Sequence, residues 1–179
     1  YLGWSLFLYN GDREQIGKTE LTQGTASVTI PEQGFDPGTF YIQVKTNAMT
    51  NVNWSGAEQY TLTADFTPTD STYESEPNDS TSRADVMLPN TPVSGKLSDE
   101  SDVDYYKVTL DSAAQFSLCL EHALPDDLSS SGTPWTVTCY PFDEKTGTLR
   151  EDKAVTLDAA LGKTKTESET VLVLGGTYY

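Results

Sequence analysis

The segment Trp4-Ser5-Leu6-Phe7-Leu8-Tyr9-Asn10-Gly11-Asp12 indicates the fold class of this chain. Its apolar residues Trp4, Leu6 and Leu8 recur at every second position, which is the period of a β-strand with one buried face. The Asn-Gly-Asp ending is a turn signal. Short alternating segments and turn residues continue to residue 66, and no stretch has a convincing period of 3.6 residues. We therefore predict an all-β protein.

Two segments of this first part have counterparts far along the chain. Gly3-Trp4-Ser5-Leu6-Phe7-Leu8-Tyr9 aligns with Pro134-Trp135-Thr136-Val137-Thr138-Cys139-Tyr140, at an offset of 131 residues. Pro37-Gly38-Thr39-Phe40-Tyr41 aligns with Gly175-Gly176-Thr177-Tyr178-Tyr179, at an offset of 138 residues. A period of this size is that of a domain. We predict tandem antiparallel, jelly-roll-like β-sandwich repeats.

The repeats predict a division into domains. Residues 1–66 would be the C-terminal half of a first sandwich, so that the first repeat is only half present. Residues 67–73, rich in Thr, Ser and Pro, would be a linker. Residues 74–179 would be a second sandwich that lacks its last strand. Since the chain begins within a strand-like segment, we interpret it as an internal fragment whose leader, if any, lies upstream.

The composition limits the classes of partner. Of 179 residues, 36% are apolar, which is enough for a core. The formal charge of −16 argues against nucleic acid and anionic membranes and favours cations as partners. No apolar run is long enough for membrane insertion. Abundant Thr, Ser, Gly, Asn, Asp and Tyr with little Lys is typical of a secreted or cell-surface protein.

Two acidic segments are candidates for a metal site. They are Glu74-Ser75-Glu76-Pro77-Asn78-Asp79 and Ser98-Asp99-Glu100-Ser101-Asp102-Val103-Asp104. Ca²⁺ prefers six to eight oxygen ligands, several of them carboxylates, from segments that can bend around the ion. Carboxylates brought together without a counter-charge would repel one another. The alternative is a solvated acidic linker that caps a turn. The predicted Ca²⁺ ligands are Glu74, Glu76, Asn78, Asp79, Asp99, Asp102 and Asp104.

Three pieces of this region resemble a known family in their order and spacing. The pieces are Glu76-Pro77-Asn78-Asp79, Val93-Ser94-Gly95-Lys96-Leu97 and Asp102-Val103-Asp104-Tyr105-Tyr106-Lys107-Val108. Together they resemble the opening half of a bacterial pre-peptidase C-terminal (PPC) domain, a family related to the collagen-binding domains of clostridial collagenases. The resemblance implies calcium at the matching linker and loop positions. It also implies a module that follows the catalytic part of a secreted peptidase or similar enzyme.

Aromatic residues supply the candidate ligand-binding positions. Trp54 lies in a polar loop, where it could stack on a sugar ring or a peptide, or fold back as a plug. Tyr41, Tyr105 and Tyr106 lie in strand-like segments. The resemblance implies that outward tyrosines hold a ligand, whereas β-propensity alone also explains tyrosines in strands. We assign Trp4 and Trp135 to core packing.

Few residues are suited to catalysis. His122 is the only histidine, which excludes a two-histidine zinc site, and we interpret it as a solvated residue at a strand end. By simple alternation Cys119 and Cys139 point to opposite faces, which disfavours a disulfide, although a bulge or an inter-sheet arrangement would permit one.

We therefore expect a non-catalytic extracellular accessory module of a secreted bacterial enzyme, by resemblance a peptidase. A Ca²⁺ ion would fasten its linker, and the module would serve as a spacer, a secretion aid or a binder of a polymer such as a collagen-like protein or a polysaccharide. One alternative is a stalk or filament repeat of a surface protein that exchanges strands with another copy. Another is a carbohydrate-binding module.

Overall fold

The computed structural model describes residues 2–21, 25–48, 59–68, 72–98, 101–122, 135–159 and 162–179. The contacts divide the chain into two units. Unit 1 comprises residues 1–79 and 93–103, and unit 2 comprises residues 80–92 and 104–179. Apart from a 3-10 turn at Glu151–Lys153, the regular structure of the described residues is β-strand. The predicted all-β class is confirmed. Within these ranges, no helix combines the length and the apolar character that crossing a bilayer requires.

Unit 1 contains a three-stranded antiparallel sheet. Strand β1 (Leu2–Tyr9) lies between β2 (Gln15–Leu21) and β3 (Tyr41–Ala48). The predicted turn connects β1 to β2, because Asn10 Oδ1 accepts hydrogen bonds from the backbone amides of Asp12 and Glu14. The short Asn side chain thus closes the turn by accepting hydrogen bonds from nearby backbone amides.

The alternation of β1 gives this sheet a covered face. Trp4, Leu6 and Leu8 share it, and the Trp4 ring meets the edge of the Tyr60 ring at a centroid distance of 5.4 Å. Gly17 stands opposite Leu8, and a Cβ on Gly17 would lie 3.0 Å from Ile30 Cγ2. Glycine therefore lets the segment around Ile30 approach this face closely.

Unit 2 holds the remaining strands of the described structure. They are short, which is typical of a chain punctuated by turns and bulges. Their bounds are β4 (Asp85–Val86), β5 (Tyr106–Leu110), β6 (Ala114–Phe116), β7 (Cys119–Glu121), β8 (Thr136–Cys139), β9 (Phe142–Asp143), β10 (Thr148–Leu149), β11 (Val155–Asp158), β12 (Lys165–Glu167), β13 (Val171–Val173) and β14 (Gly176–Tyr178).

Six of these strands form one long antiparallel ribbon. Going along β5, β6 and β7, the partner strands are β14, β13 and β12 in turn. The register shifts by one residue at each junction, so that residues 111–113 stand opposite 174–175 and residues 117–118 stand opposite 168–170. These junctions are β-bulges, which bend and twist a ribbon.

The ribbon widens into a sheet at its β5–β14 end. Strand β4 pairs with β5 in parallel, and the backbones of Tyr140 and Tyr179 exchange hydrogen bonds of 2.7 and 2.9 Å. Strand β8 in turn pairs with β11. The buried apolar residues of this unit, Leu157, Ala159 and Tyr178, lie on β11, β14 or directly beside them.

Two of the alternating segments in the first part of the chain do not form ladders. Residues 26–30 and 60–66 run without strand pairing in the described structure. Their apolar alternation instead provides side chains such as Ile30 and Tyr60 that pack on β1 and its neighbours. Strand β2 contains the charged residues Lys18 and Glu20 and few apolar residues, so its sequence shows no clear apolar alternation.

Residues 74–79 and 93–103 belong to unit 1 by their contacts, although the sequence-based division places them in the second sandwich. The Glu74 amide donates to the Ser94 carbonyl, and the Glu76 amide donates to the Gly34 carbonyl, each at 2.9 Å. These bonds attach both segments to the same unit. The repeat organisation itself stays a prediction.

Candidate functional site

The first acidic segment is held on both sides within unit 1. On one side, Tyr73 forms a parallel bridge with Ser94, whose amide donates to the Thr72 carbonyl at 2.9 Å. On the other side, Ser75 Oγ accepts a hydrogen bond of 2.8 Å from the Asp36 amide. The segment therefore presents its carboxylates from a fixed backbone.

Gly34 makes this close packing possible. A Cβ on Gly34 would overlap the Glu74 carbonyl oxygen and would lie 2.6 Å from Tyr73 Cδ1. Any larger residue would push the two segments apart. Sequence analysis did not single out Gly34, because the contact joins segments some forty positions apart.

Three of the predicted ligands converge. One carboxylate oxygen from each of Glu76, Asp102 and Asp104 lies within 4.8 Å of the others, and all three residues are half-buried.

The Glu76 carboxylate is perturbed by its surroundings. Its Oε2 accepts a hydrogen bond of 3.2 Å from the Asn78 amide, whereas its Oε1 is buried and accepts no hydrogen bond from the described residues. Burial raises the pKa of Glu76 to about 7, and the charges of Asp102, Glu74 and Asp79 add to this rise. Near neutral pH this carboxyl is therefore close to the midpoint of its titration, and a nearby cation would favour its charged form.

The neighbouring polar residues fix the geometry. Glu74 is 2% exposed, and one of its oxygens accepts a hydrogen bond from the Lys96 amide. Asp102 accepts one from the Ser98 amide through Oδ2. Asn78 is fully buried, and Asp79 is exposed. The predicted ligand Asp99 lies outside the described residues.

The donor set of this cluster consists of carboxylate oxygens. Such oxygens suit hard cations such as Ca²⁺ and Mg²⁺, whereas zinc and copper sites are rich in imidazole and thiolate ligands. Ca²⁺ tolerates irregular geometry and six to eight ligands, so the cluster together with Glu74, Asn78 or water could complete its shell. A Mg²⁺ ion would demand near-ideal octahedral geometry.

The predicted ligand-binding aromatics have different surroundings. Tyr41 on β3 is 46% exposed, whereas Tyr105 and Tyr106 are half-buried. Trp54 lies outside the described residues. Phe7 and Tyr9 lie on the same face of the sheet as Tyr41. Sequence analysis missed them, although the alternation that places Trp4 inward also places these two outward.

The two cysteines are free thiols, and they lie on strands that do not pair with each other. Burial raises the pKa of Cys139 to about 11, while Cys119 is exposed.

His122 directly follows β7, at the predicted strand end, and it is half-buried with its ring 6.0 Å from that of Trp135. It lines a shallow cavity of about 490 Å³ together with Glu121, Thr164 and Lys165.

Comparison with known protein families, with curated proteins and with solved structures finds no match to this chain. The resemblance to PPC domains therefore stays a prediction from the motifs.

Proposed function

We propose that this chain is a non-catalytic accessory module that binds Ca²⁺ through Glu76, Asp102 and Asp104. The observation that carries the proposal is the convergence of these three carboxylates within 4.8 Å, and a buried Glu76 oxygen accepts no hydrogen bond from the described residues. A buried acceptor of this kind is costly unless a cation or a proton satisfies it.

Electrostatics favours a cation over an empty cluster. Glu76, Asp102 and Asp104 are like charges, and Glu74 and Asp79 are close enough to raise the pKa of Glu76 further. A divalent ion would replace this mutual repulsion by attraction and would satisfy the unpaired oxygen. Ca²⁺ fits best because the cluster offers carboxylate oxygens from two irregular segments, and Ca²⁺ tolerates irregular geometry.

Bound Ca²⁺ would cross-link the segment at residues 74–79 to the segment at residues 101–104. The first segment is held by backbone hydrogen bonds to Ser94 and Gly34, and an ion would add a further cross-link between the two segments. Extracellular modules bind Ca²⁺ with dissociation constants of about 0.1–1 mM. A site of that strength is filled outside cells, where Ca²⁺ is abundant.

The resemblance to PPC domains supplies the biological setting of the proposal. In that setting the chain is part of a secreted bacterial enzyme, a peptidase first of all, and serves as a spacer, a secretion aid or a binder of an extracellular polymer. The chemistry would be carried out elsewhere in the parent enzyme. Incubation of the chain with protein and polysaccharide substrates should then release no product, and measurable hydrolysis would overturn this part of the proposal.

Calorimetric titration tests the metal site. The wild-type chain should bind one Ca²⁺ with a dissociation constant of about 0.1–1 mM. Glu76→Gln keeps the shape of the side chain but removes its charge, and should weaken binding at least about tenfold. Glu151→Gln, at an exposed acidic residue of unit 2, is the matched control and should bind as the wild type does. Absence of binding by a folded wild-type chain at 10 mM Ca²⁺, which is about ten times the weakest expected dissociation constant, would refute the site.

A further inference from the structure

The sheet of unit 1 has a second face, opposite the one that carries Trp4, Leu6 and Leu8. We call it the outer face. The pairing of β1 with β2 and β3 places alternating residues of all three strands on it. Its members are Ser5, Phe7 and Tyr9 of β1, Lys18 and Glu20 of β2, and Tyr41, Gln43 and Lys45 of β3.

Three aromatic rings are neighbours on the outer face. The rings of Phe7 and Tyr9 lie 6.2 Å apart with an angle of 25° between their planes. Tyr41 stands directly opposite Tyr9 across the β1–β3 pair, and it is 46% exposed. Phe7, Tyr9 and Tyr41 therefore lie along one strip of this face, which reaches solvent at Tyr41.

Polar groups flank this strip. The Tyr9 hydroxyl donates a hydrogen bond of 3.2 Å to Gln43 Oε1, and this bond leaves the Gln43 amide group as a donor. Lys18 Nζ lies 5.9 Å from the Phe7 ring centroid and 2.7 Å from Glu20 Oε1. Lys45 is exposed and forms no ion pair with the described residues.

The charge of the outer face differs from that of the whole chain. It carries two ammonium groups and one carboxylate, whereas the chain has a formal charge of −16. At physiological ionic strength charges beyond about 8 Å are largely screened, so a ligand on this face responds mainly to the local charges. Lys18 is already paired with Glu20, so the Lys45 ammonium is the group available to pair with an anionic group of a ligand.

We propose that the outer face binds an acidic polysaccharide. Sugar rings would lie on the strip of Phe7, Tyr9 and Tyr41, because the negative face of an aromatic ring attracts the weakly positive C–H groups of a sugar. A carboxylate of the polymer would pair with Lys45, and hydroxyl groups would accept hydrogen bonds from Gln43. This inference rests on the proposed role as a polymer-binding module, and it does not depend on calcium.

Binding of polygalacturonate and of its methyl ester, both measured by affinity electrophoresis in EDTA, tests the inference. The wild-type chain should bind the acid form more tightly than the ester, and added salt should reduce this preference. Tyr41→Ala should weaken binding of both polymers about fivefold, whereas Tyr41→Phe should retain it because the ring remains. The Lys45→Gln variant should lose this preference and bind the acid form no more tightly than the ester.

Lys163→Gln, at an exposed lysine of unit 2, is the control for the loss of one positive charge and should leave the preference unchanged. Equal binding of both polymers by the wild-type chain would overturn the assignment to an acidic ligand. No binding of either polymer by a chain with a normal thermal transition would overturn the site itself, as would binding that Tyr41→Ala leaves intact. Ca²⁺ titration of the same samples tests the metal site independently, so a failure of the outer-face proposal can be told from a failure of the metal-site proposal.

Discussion

The backbone amide of Asn78 donates to Glu76 Oε2 at 3.2 Å, which orients the Glu76 carboxylate within the acidic cluster. The other oxygen, Oε1, is buried and accepts no hydrogen bond from the described residues. The two residues are separated by Pro77 alone, so a contact between near neighbours in the sequence orients a carboxylate that lies close to Asp102 and Asp104, which are distant in the sequence.

The first prediction concerns the pH dependence of stability without calcium. The pKa of Glu76 rises from 4.5 to about 7 on folding, so between these values the folded state holds more protons than the unfolded state. The stabilisation is therefore complete below pH 4.5 and is lost as the pH rises through 7. Since solvent screens this half-buried group, we expect its protonation to contribute about 1–2 kcal/mol to the free energy of unfolding. Urea unfolding in EDTA, measured as a function of pH, should show this loss of stability. The Glu76→Gln variant should show a flatter pH dependence over the same range.

The second prediction concerns the effect of calcium on unfolding. An ion that binds only the folded state, at about ten to one hundred times its dissociation constant, stabilises that state by about 1.4–2.7 kcal/mol. Thermal unfolding of the wild-type chain in 10 mM Ca²⁺ should therefore shift upward. Asp102→Asn should lose most of this shift, while Asp158→Asn, outside the cluster, should keep it. An equal shift in both variants would mean that Ca²⁺ acts through general charge screening.

The third prediction concerns Gly34. Gly34→Ala places a methyl group against the Glu74 carbonyl and the Tyr73 ring, so the segment that carries Glu74 and Glu76 must move. We expect a loss of about 1–3 kcal/mol in the free energy of unfolding and weaker Ca²⁺ binding. Gly38→Ala is the matched control, because its Cβ would lie 3.8 Å from the Asp36 carbonyl oxygen, an ordinary contact. Similar losses in the two variants would contradict the steric explanation.

The fourth prediction concerns Tyr178 on β14. Its ring is 7% exposed and lies 6.4 Å from the Phe116 ring, and its hydroxyl donates a hydrogen bond of 2.7 Å to the Leu174 carbonyl. Tyr178→Phe keeps the packing but loses this bond, at a cost of about 1 kcal/mol in urea unfolding. The same change at the exposed Tyr41 should cost almost nothing, and an unchanged stability of Tyr178→Phe would show that water replaces the bond.

The fifth prediction concerns thiol reactivity. Burial raises the pKa of Cys139 to about 11, which lowers its thiolate fraction and its access to reagents. Cys119 is exposed on β7. Iodoacetamide at pH 8 should therefore modify Cys119 first in the folded chain, as mass spectrometry of the peptides would show, and denaturation should remove the difference. Faster modification of Cys139 would contradict the burial found here.

Sequence alone determined the elements whose signal is local. Alternation predicted β1 and the class of the fold, the Asn10-Gly11-Asp12 turn predicted the chain reversal after β1, and the clustering of acidic residues marked Glu76, Asp102 and Asp104 as a group. A side chain's direction in a strand follows from its parity, and an Asx turn needs only its own few residues, so both can be read from neighbouring positions.

Tertiary structure alone decided which segments meet. The contact of Gly34 with Glu74, the attachment of residues 93–97 beside residue 73, and the long bulged ribbon of unit 2 all join positions far apart in the chain. Strand pairing uses backbone groups that every residue shares, so a sequence with several similar short strands does not specify their partners or register. Packing of particular side chains makes that choice, and the same packing buries Glu76 and brings its pKa to about 7.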